Sequence, residues 1–286
     1  MAAVAYRLLA LDIDGTLLKS NHRLAKETKD AIEFVKSKGV YVTLATGRAF
    51  PSARKVAKAL KLNDVYLITH DGAFVAADAD APIFERRLDS DRVYQITDIL
   101  ENYHCHVRLL HEKYALGNKL NQKNQLIAKM NTKMGDPLFY PINFVDSPSN
   151  YLIDQPLTVP KICAKFWNES ERLDAIEEIK EAVSEVRVTS SYEGSLDITD
   201  ASATKARGLQ VLGQKLGIKL SEMVAVGSYD NDEEMVAQAG LGVAMGQSND
   251  QLKSLADWVT RSNNQNGVGY MIKEVFRKQL RTETYK

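Results

Sequence analysis

Leu8-Leu9-Ala10-Leu11-Asp12-Ile13-Asp14-Gly15-Thr16-Leu17-Leu18 stands near the N-terminus, and the rest of the chain is interpreted outward from it. The apolar run before Asp12 is short, continuous and closed by a turn signal, the pattern of a central parallel strand buried on both faces. A buried strand has no structural use for two acids at its end, where charge has to be paired or bound to metal. In open α/β sheets, ligands bind at the carboxyl ends of the strands. Two carboxylates two residues apart there can share a divalent cation. They can also divide the work, one acting as nucleophile and the other moving a proton. A lone Asp-x-Asp-Gly would mean little, since Asp and Gly are common turn formers.

Downstream, Leu24 to Lys38 has the spacing of an amphipathic helix, with Ala31, Ile32, Phe34 and Val35 as its stripe and Gly39 as its stop. Val40 to Ala45 reads as a second strand. It ends in Thr46-Gly47-Arg48, with Pro51 opening another helix. A hydroxyl, a glycine amide and a cation between a strand and a helix N-terminus suit an anion. For Arg48, a structural ion pair is the competing role. A third strand, Val65 to Thr69, closes on His70-Asp71-Gly72.

From about Pro82 the pattern changes to an inserted α+β unit. Helices are expected at 91–103, 116–130 and 169–183, and strands at 104–110, 161–167 and 186–190, with prolines punctuating 137–160. His104-Cys105-His106, with His111 nearby, invites a metal interpretation. A solvated or cap-lining strand is favoured instead, because Cys105 points to the opposite face and no third ligand follows at suitable spacing.

The core is expected to return near Leu196-Asp197-Ile198-Thr199. Thr204 is a plausible N-cap for a helix ending at Gly217. Lys205, in the first turn of that helix, opposes the helix dipole and makes sense if an anion lies beside it. Met223 to Val226 forms another buried strand, ending in Gly227-Ser228-Tyr229-Asp230-Asn231-Asp232-Glu233-Glu234-Met235. Gly240, Gly242 and Gly246 imitate a dinucleotide fingerprint, but Met245 occupies the third glycine position and the segment does not open the first βαβ unit. A short strand at 257–260 and a helix at 268–279 end the reading.

The 286 residues are 44% hydrophobic, enough for a large core in one or two domains. Basic and acidic residues balance at 37 each, which leaves no electrostatic footprint for nucleic acid. Arg7 and Asp12 interrupt the first apolar segment, and no membrane span or secretory leader is expected. Two cysteines do not make a disulfide scaffold, so a cytoplasmic setting with reduced thiols is expected.

The four motifs, Asp-x-Asp-Gly-Thr-Leu, Thr-Gly-Arg, Thr-Lys and Gly-Ser-x-x-Asn-Asp-x-x-Met, together resemble those of the haloacid dehalogenase-like hydrolases, in their Cof-like subgroup. The resemblance spans nearly the whole chain and is weakest in the insert. It implies an α/β fold: a doubly wound parallel core over 1–83 and 198–286, with an α+β cap over 84–197. It implies a Mg²⁺-dependent phosphatase acting on small phosphorylated metabolites, of the sugar phosphate, flavin mononucleotide or pyridoxal phosphate type. Asp12 would be the nucleophile, forming an aspartyl-phosphate, and Asp14 the acid and base. Ile13, Thr46, Gly47, Lys205 and Asn231 would hold the phosphate. Asp12, Asp14, Ser228 and Asp232 would serve the metal. The family usually has Asn where this chain has Asp71, which bears on leaving-group recognition, and Asp where it has Ser228, which bears on metal affinity. A phosphomutase or phosphotransferase would share every motif. A non-catalytic phosphate-ligand binder finds its support in Ser228 alone.

Overall fold

The computed structural model describes residues 6–119, 141–191 and 194–277. Its strands in chain order are β1 (Leu8–Leu11), β2 (Tyr41–Leu44), β3 (Leu67–Thr69), β4 (Phe74–Ala76), β5 (Pro82–Glu85), β6 (Cys105–Leu110) and β7 (Ala115–Asn118). β8 (Ile142–Val145), β9 (Lys161–Phe166), β10 (Val186–Thr189), β11 (Ser195–Asp200), β12 (Met223–Gly227), β13 (Leu241–Ala244) and β14 (Trp258–Val259) follow. The helices are α1 (Lys26–Ser37), α2 (Phe50–Ala59), α3 (Ser90–Glu101), α4 (Pro148–Asp154) and α5 (Glu169–Ala182). α6 (Lys205–Leu216), α7 (Glu233–Gln238), α8 (Asp250–Leu255) and α9 (Gly267–Phe276) complete the set.

The apolar run before Asp12 does what its composition demands. β1 lies inside a parallel sheet of order β14-β13-β12-β1-β2, between β12 and β2, and all four of its residues are buried. Leu9 and Leu11 turn to one face, where they join Ile32 and Val35 of α1, Ala53 of α2 and Met271 and Ile272 of α9. Leu8 and Ala10 turn to the other, against Leu209 and Leu212 of α6, Met235 of α7 and Leu252 of α8. Strand alternation thus feeds two cores, and each fully buried leucine contributes roughly 1.5–3 kcal/mol. A small antiparallel sheet of order β3-β4-β5 continues from β2 through an Ala45–Ile68 bridge. The expected α/β fold with a parallel sheet is present.

The inserted unit forms a second sheet of order β10-β11-β9-β6-β7-β8, antiparallel except between β7 and β8. Its alternation is equally strict. Cys105, Val107 and Leu109 of β6, Ile162, Ala164 and Phe166 of β9, and Leu196 and Ile198 of β11 pack with Val93, Ile96 and Leu100 of α3 and with Ala175 and Ile179 of α5. The opposite face carries His106, Arg108, Lys161, Cys163, Lys165 and Asp197, which line the cleft towards β1.

Two segments differ from expectation. The strand around Leu196, expected to reopen the core, pairs with β9 and β10 in the second sheet. An apolar alternating run is compatible with either sheet, and the pairing partner decides between them. Leu116 to Asn118, expected to start a helix, instead forms β7 against β6; the rest of that expected helix from 120 onward, and positions 278–279 of the last helix, lie outside the described residues.

Candidate active site

The Asp12 N–H donates to the Val226 carbonyl at 3.0 Å, so the ladder carries the backbone up to the first carboxylate before the chain turns. The turn needs Gly15. It has φ of +70°, and a Cβ there would come within 2.7 Å of Ser228 Oγ. The loop returns as the Leu18 N–H bonds the Ile13 carbonyl, and the Ile13 side chain enters the hydrophobic core. What Ile13 can offer an anion is therefore its backbone N–H.

Thr204 caps α6 by accepting from the Arg207 N–H at 3.0 Å, which sets Lys205 in the first turn. Lys205 is buried, with Nζ at 2.9 Å from Asp12 Oδ1 and 2.7 Å from Asp232 Oδ1. The anion its position called for is thus a pair of carboxylates in the protein itself. Burial opposes the Lys205 charge, but Asp12 and Asp232 outweigh it and raise its pKa. Asp12 moves the other way. Burial pushes its pKa up to about 8 against the pull of Lys205, with Asp232 and Asp14 adding to the rise. Two buried carboxylates on one ammonium are under-neutralised.

Asp14 is gripped by Arg48, whose Nε and Nη2 each lie 2.6 Å from one carboxylate oxygen. This two-point fork gives Arg48 a definite partner. Thr46 is buried beside it, its Oγ1 accepting from the Arg48 N–H at 3.2 Å. Asn231 Nδ2 donates to Asp71 Oδ1 at 2.7 Å. Asp71 adopts φ of 55° and is fixed from the second sheet by Lys161, whose Nζ also donates to the Gly47 carbonyl at 3.1 Å.

Ser228 sits against the Asp-x-Asp turn. Its Oγ donates to the Asp14 carbonyl at 3.0 Å and accepts from Thr16 Oγ1 at 3.1 Å. Asp232 is completely buried. Its Oδ2 accepts from the Ser228 and Tyr229 N–H groups at 2.7 and 3.1 Å, while its Oδ1 takes Lys205. This carboxylate orients the loop and the lysine, and it does not line the cleft.

The donor set suits a small hard cation. The Asp12 carboxylate, the Asp14 carbonyl and the Ser228 hydroxyl are all oxygens. The last two lie 3.0 Å apart, the length of the hydrogen bond between them, and adjacent ligands of an octahedral ion with bonds near 2.1 Å are also about 3.0 Å apart. The excess of buried carboxylate over lysine also favours a cation. With Ser228 in place of a carboxylate, the set carries one negative ligand fewer.

Of the residues singled out from sequence, Asp12, Asp14, Thr46, Gly47 and Asn231 line one cleft of about 650 Å³ including its mouth. Lys205 and Asp232 lie beneath Asp12, and Ser228 beneath Asp14. The cleft also contains His106, Arg108, Lys161 and Asp197, which the sequence reading did not assign. Their signal was the alternation of polar residues at 106 and 108 and at 161, 163 and 165.

A family model described as haloacid dehalogenase-like hydrolase matches residues 9–272. The chain is 46% identical over 276 residues to "Stress response protein YhaX" of Bacillus subtilis, covering 96% of this chain and 95% of that protein. It is 29% identical to the B. subtilis 5-amino-6-(5-phospho-D-ribitylamino)uracil phosphatase YcsE, covering 94% and 96% of the two chains. A solved haloacid dehalogenase-like hydrolase from B. subtilis superposes with a TM-score of 0.82 at 26% identity, over 94% of this chain and all of that one.

Proposed function

The chain belongs to the haloacid dehalogenase-like hydrolase family, and we propose that it is a Mg²⁺-dependent phosphatase of small phosphomonoesters working through an aspartyl-phosphate. The observation that carries this reading is the Asp12–Lys205–Asp232 cluster beside the Asp14–Arg48 fork. A pure binder of phosphate has no need of a nucleophile and a proton carrier two residues apart. Relatives named as phosphatases, YcsE among them, support the same class of reaction.

In the proposed reaction an Asp12 carboxylate oxygen attacks phosphorus in line and the ester P–O bond breaks. The leaving oxygen takes a proton from Asp14. Asp14, now ionised, takes a proton from a water that attacks the same phosphorus, and the Asp12–phosphorus bond breaks to release inorganic phosphate. Arg48 orients the Asp14 carboxyl, and because its fork occupies both oxygens, one of those contacts is given up while that carboxyl carries its proton. Lys205, Thr46, Asn231 and the backbone N–H groups of the turn compensate charge on the transferring group. Mg²⁺, held by Asp12, the Asp14 carbonyl and Ser228, would supply further neutralisation of the phosphoryl oxygens. The second sheet roofs the cleft and excludes bulk water. The site would sit in the cytoplasm, and its substrates would be small phosphorylated metabolites of the sugar phosphate, flavin mononucleotide or pyridoxal phosphate type.

Hydrolysis of p-nitrophenyl phosphate by the purified protein, with and without Mg²⁺, tests the reading. Release of phosphate that depends on both Mg²⁺ and Asp12 is expected. Binding of phosphate esters without turnover at any Mg²⁺ concentration would favour the binding-protein alternative, for which Ser228 is the support in the sequence.

A further inference from the structure

Lys161 opens β9 on the cap side of the cleft, and it is buried. Its ammonium has three protons and meets three acceptors: the Gly47 carbonyl at 3.1 Å, Asp71 Oδ2 at 2.6 Å and Asp197 Oδ1 at 2.8 Å. Burial opposes the charge, but Asp197 and Asp71 outweigh it and raise its pKa, so all three protons stay in place. A lysine engaged in this way does not take up a phosphoryl group itself. What it can do is hold the groups that do.

Gly47 is the joint of the Thr46-Gly47-Arg48 turn with the widest choice of backbone angles. Its two neighbours are tied within the core. The Asp71 N–H donates to the Thr46 carbonyl at 3.2 Å, and the His70 N–H donates to the Arg48 carbonyl at 3.0 Å. In a planar trans peptide the N–H points opposite to the carbonyl. The Thr46 carbonyl, held towards Asp71, therefore turns the Gly47 N–H the other way. The middle carbonyl, that of Gly47, takes its donor from the cap, at Lys161. Cap and core meet closely at this glycine, where a Cβ would come within 2.8 Å of Asp71 Oδ1 and 3.0 Å of Ser191 Oγ.

The same ammonium reaches a second group of the pocket. Asp71 Oδ2 takes Lys161, while Asp71 Oδ1 takes Asn231 Nδ2 at 2.7 Å. An ionised carboxylate is acceptor-only, so it fixes which way round the Asn231 amide lies. Gly47 and Asn231, on different loops of the core, are thus both held from one cap side chain. Asp197, the register partner of Cys163 on β9, seats that side chain from the neighbouring strand.

We infer that Lys161 is a positioning residue for the phosphoryl pocket: from the cap it sets the Gly47 turn directly and Asn231 through Asp71, without touching the substrate. Phosphate affinity accordingly depends on a cap residue whatever the leaving group. This inference rests on the phosphatase reading above.

Competitive inhibition of p-nitrophenyl phosphate hydrolysis by inorganic phosphate tests it, because inorganic phosphate has no leaving group to meet the cap. Lys161→Met/Asp71→Asn/Asp197→Asn removes one basic and two acidic side chains, which leaves the pocket no more negative than before. Coulombic attraction alone would then hold or tighten phosphate. Loss of the Gly47 donor should instead raise the phosphate Ki about tenfold, the scale of a hydrogen bond from a charged group. KM for p-nitrophenyl phosphate and for fructose 6-phosphate should rise by the same factor. Asp71→Asn/Asp197→Asn, which keeps Lys161 on Gly47, should leave Ki at or below the wild-type value. A triple variant with Ki at or below wild type overturns the inference. So does a double variant that binds phosphate as weakly as the triple. A rise in KM for the esters without a rise in Ki also overturns it, confining Lys161 to the shape of the cap. Should the triple variant fail to fold, Lys161→Gln decides. A rise in its Ki that persists from 50 to 500 mM salt supports the inference, and no rise, or one that salt abolishes, overturns it. Each of these outcomes leaves the phosphatase reading intact, whereas no turnover of any ester by the wild-type protein overturns both.

Discussion

Lys161 of the cap sheet makes a 2.6 Å ion pair with Asp71 of the core, at the position where the motif family usually carries an amide. The same Nζ lies 2.8 Å from Asp197 Oδ1 on the neighbouring cap strand. Burial opposes the Asp71 charge, but Lys161 and then Lys205 hold its carboxyl below the usual range. The change from amide to carboxylate thus converts a neutral position into one arm of a buried ionic tie between cap and core. Through the Gly47 carbonyl the tie also reaches the turn after β2.

Removing the shared cation should be the most damaging change at this tie. Lys161→Met leaves Asp71 and Asp197 buried without their common partner, and loss of one member of a buried pair typically costs about 3–5 kcal/mol. Asp71→Asn keeps a hydrogen-bonding side chain and leaves Lys161 paired with Asp197, so its cost should be much smaller. Urea unfolding of the two variants and the wild type measures the difference. Equal losses would mean that Lys161 is not the bridge.

Asp12→Asn is expected to abolish turnover, because an amide is a poor nucleophile. Stability should hold or rise, since the substitution removes one of two buried carboxylates crowded on Lys205. Activity assays and thermal melting on one preparation check both halves. Substantial phosphatase activity in this variant would remove Asp12 from its role.

Arg48→Lys preserves the charge beside Asp14 but loses the two-point grip. The loss in kcat should be about tenfold or more with an alkyl phosphate and smaller with p-nitrophenyl phosphate, because proton delivery matters most to a basic leaving group. Parallel losses for the two esters would confine Arg48 to a structural part.

Ser228→Asp places a carboxylate where a hydroxyl now touches the Asp14 carbonyl. It should tighten Mg²⁺ binding, read by calorimetry, and lower the Mg²⁺ concentration for half-maximal activity. Without metal, the added charge near Asp12 should weaken phosphate binding. Unchanged Mg²⁺ affinity would show that residue 228 is not a ligand.

Buried neutral histidines give the fold an acid limit. Burial pushes His70 down to about 3 and His106 down to about 4, with nearby cations, Lys161 and Arg108 respectively, adding to the effect. The unfolded histidines take up protons near pH 6.5 while the folded ones do not, so the unfolded state binds more protons as the pH falls below that value. Each histidine should then remove stability at up to about 1.4 kcal/mol per pH unit, from about pH 6.5 down to its folded pKa. His106→Gln should flatten the slope between pH 6.5 and 4, as followed by chemical unfolding. A slope identical to wild type would show that His106 is protonated in the folded state.

The sequence by itself determined the parallel core and the ends of its strands. Apolar runs before Asp12, Thr46 and Ser228 are long enough to be buried and stop at polar groups that need partners when buried, which is local information. The N-cap at Thr204 likewise placed Lys205 at the start of a helix. Partnership was not local. Nothing in the sequence around Lys205 reveals that its anions are Asp12, 193 residues away in the chain, and Asp232. Ser195 to Asp200 alternates well enough for either sheet, and only pairing with β9 assigned it to the cap. His106 showed as half of a histidine pair, but its tautomer, and with it the bond it accepts from Arg108 Nε, depends on Asn118 arriving from the next strand. Propensity and burial are written residue by residue, whereas charge pairing and hydrogen-bond direction are properties of groups that only the folded chain brings together.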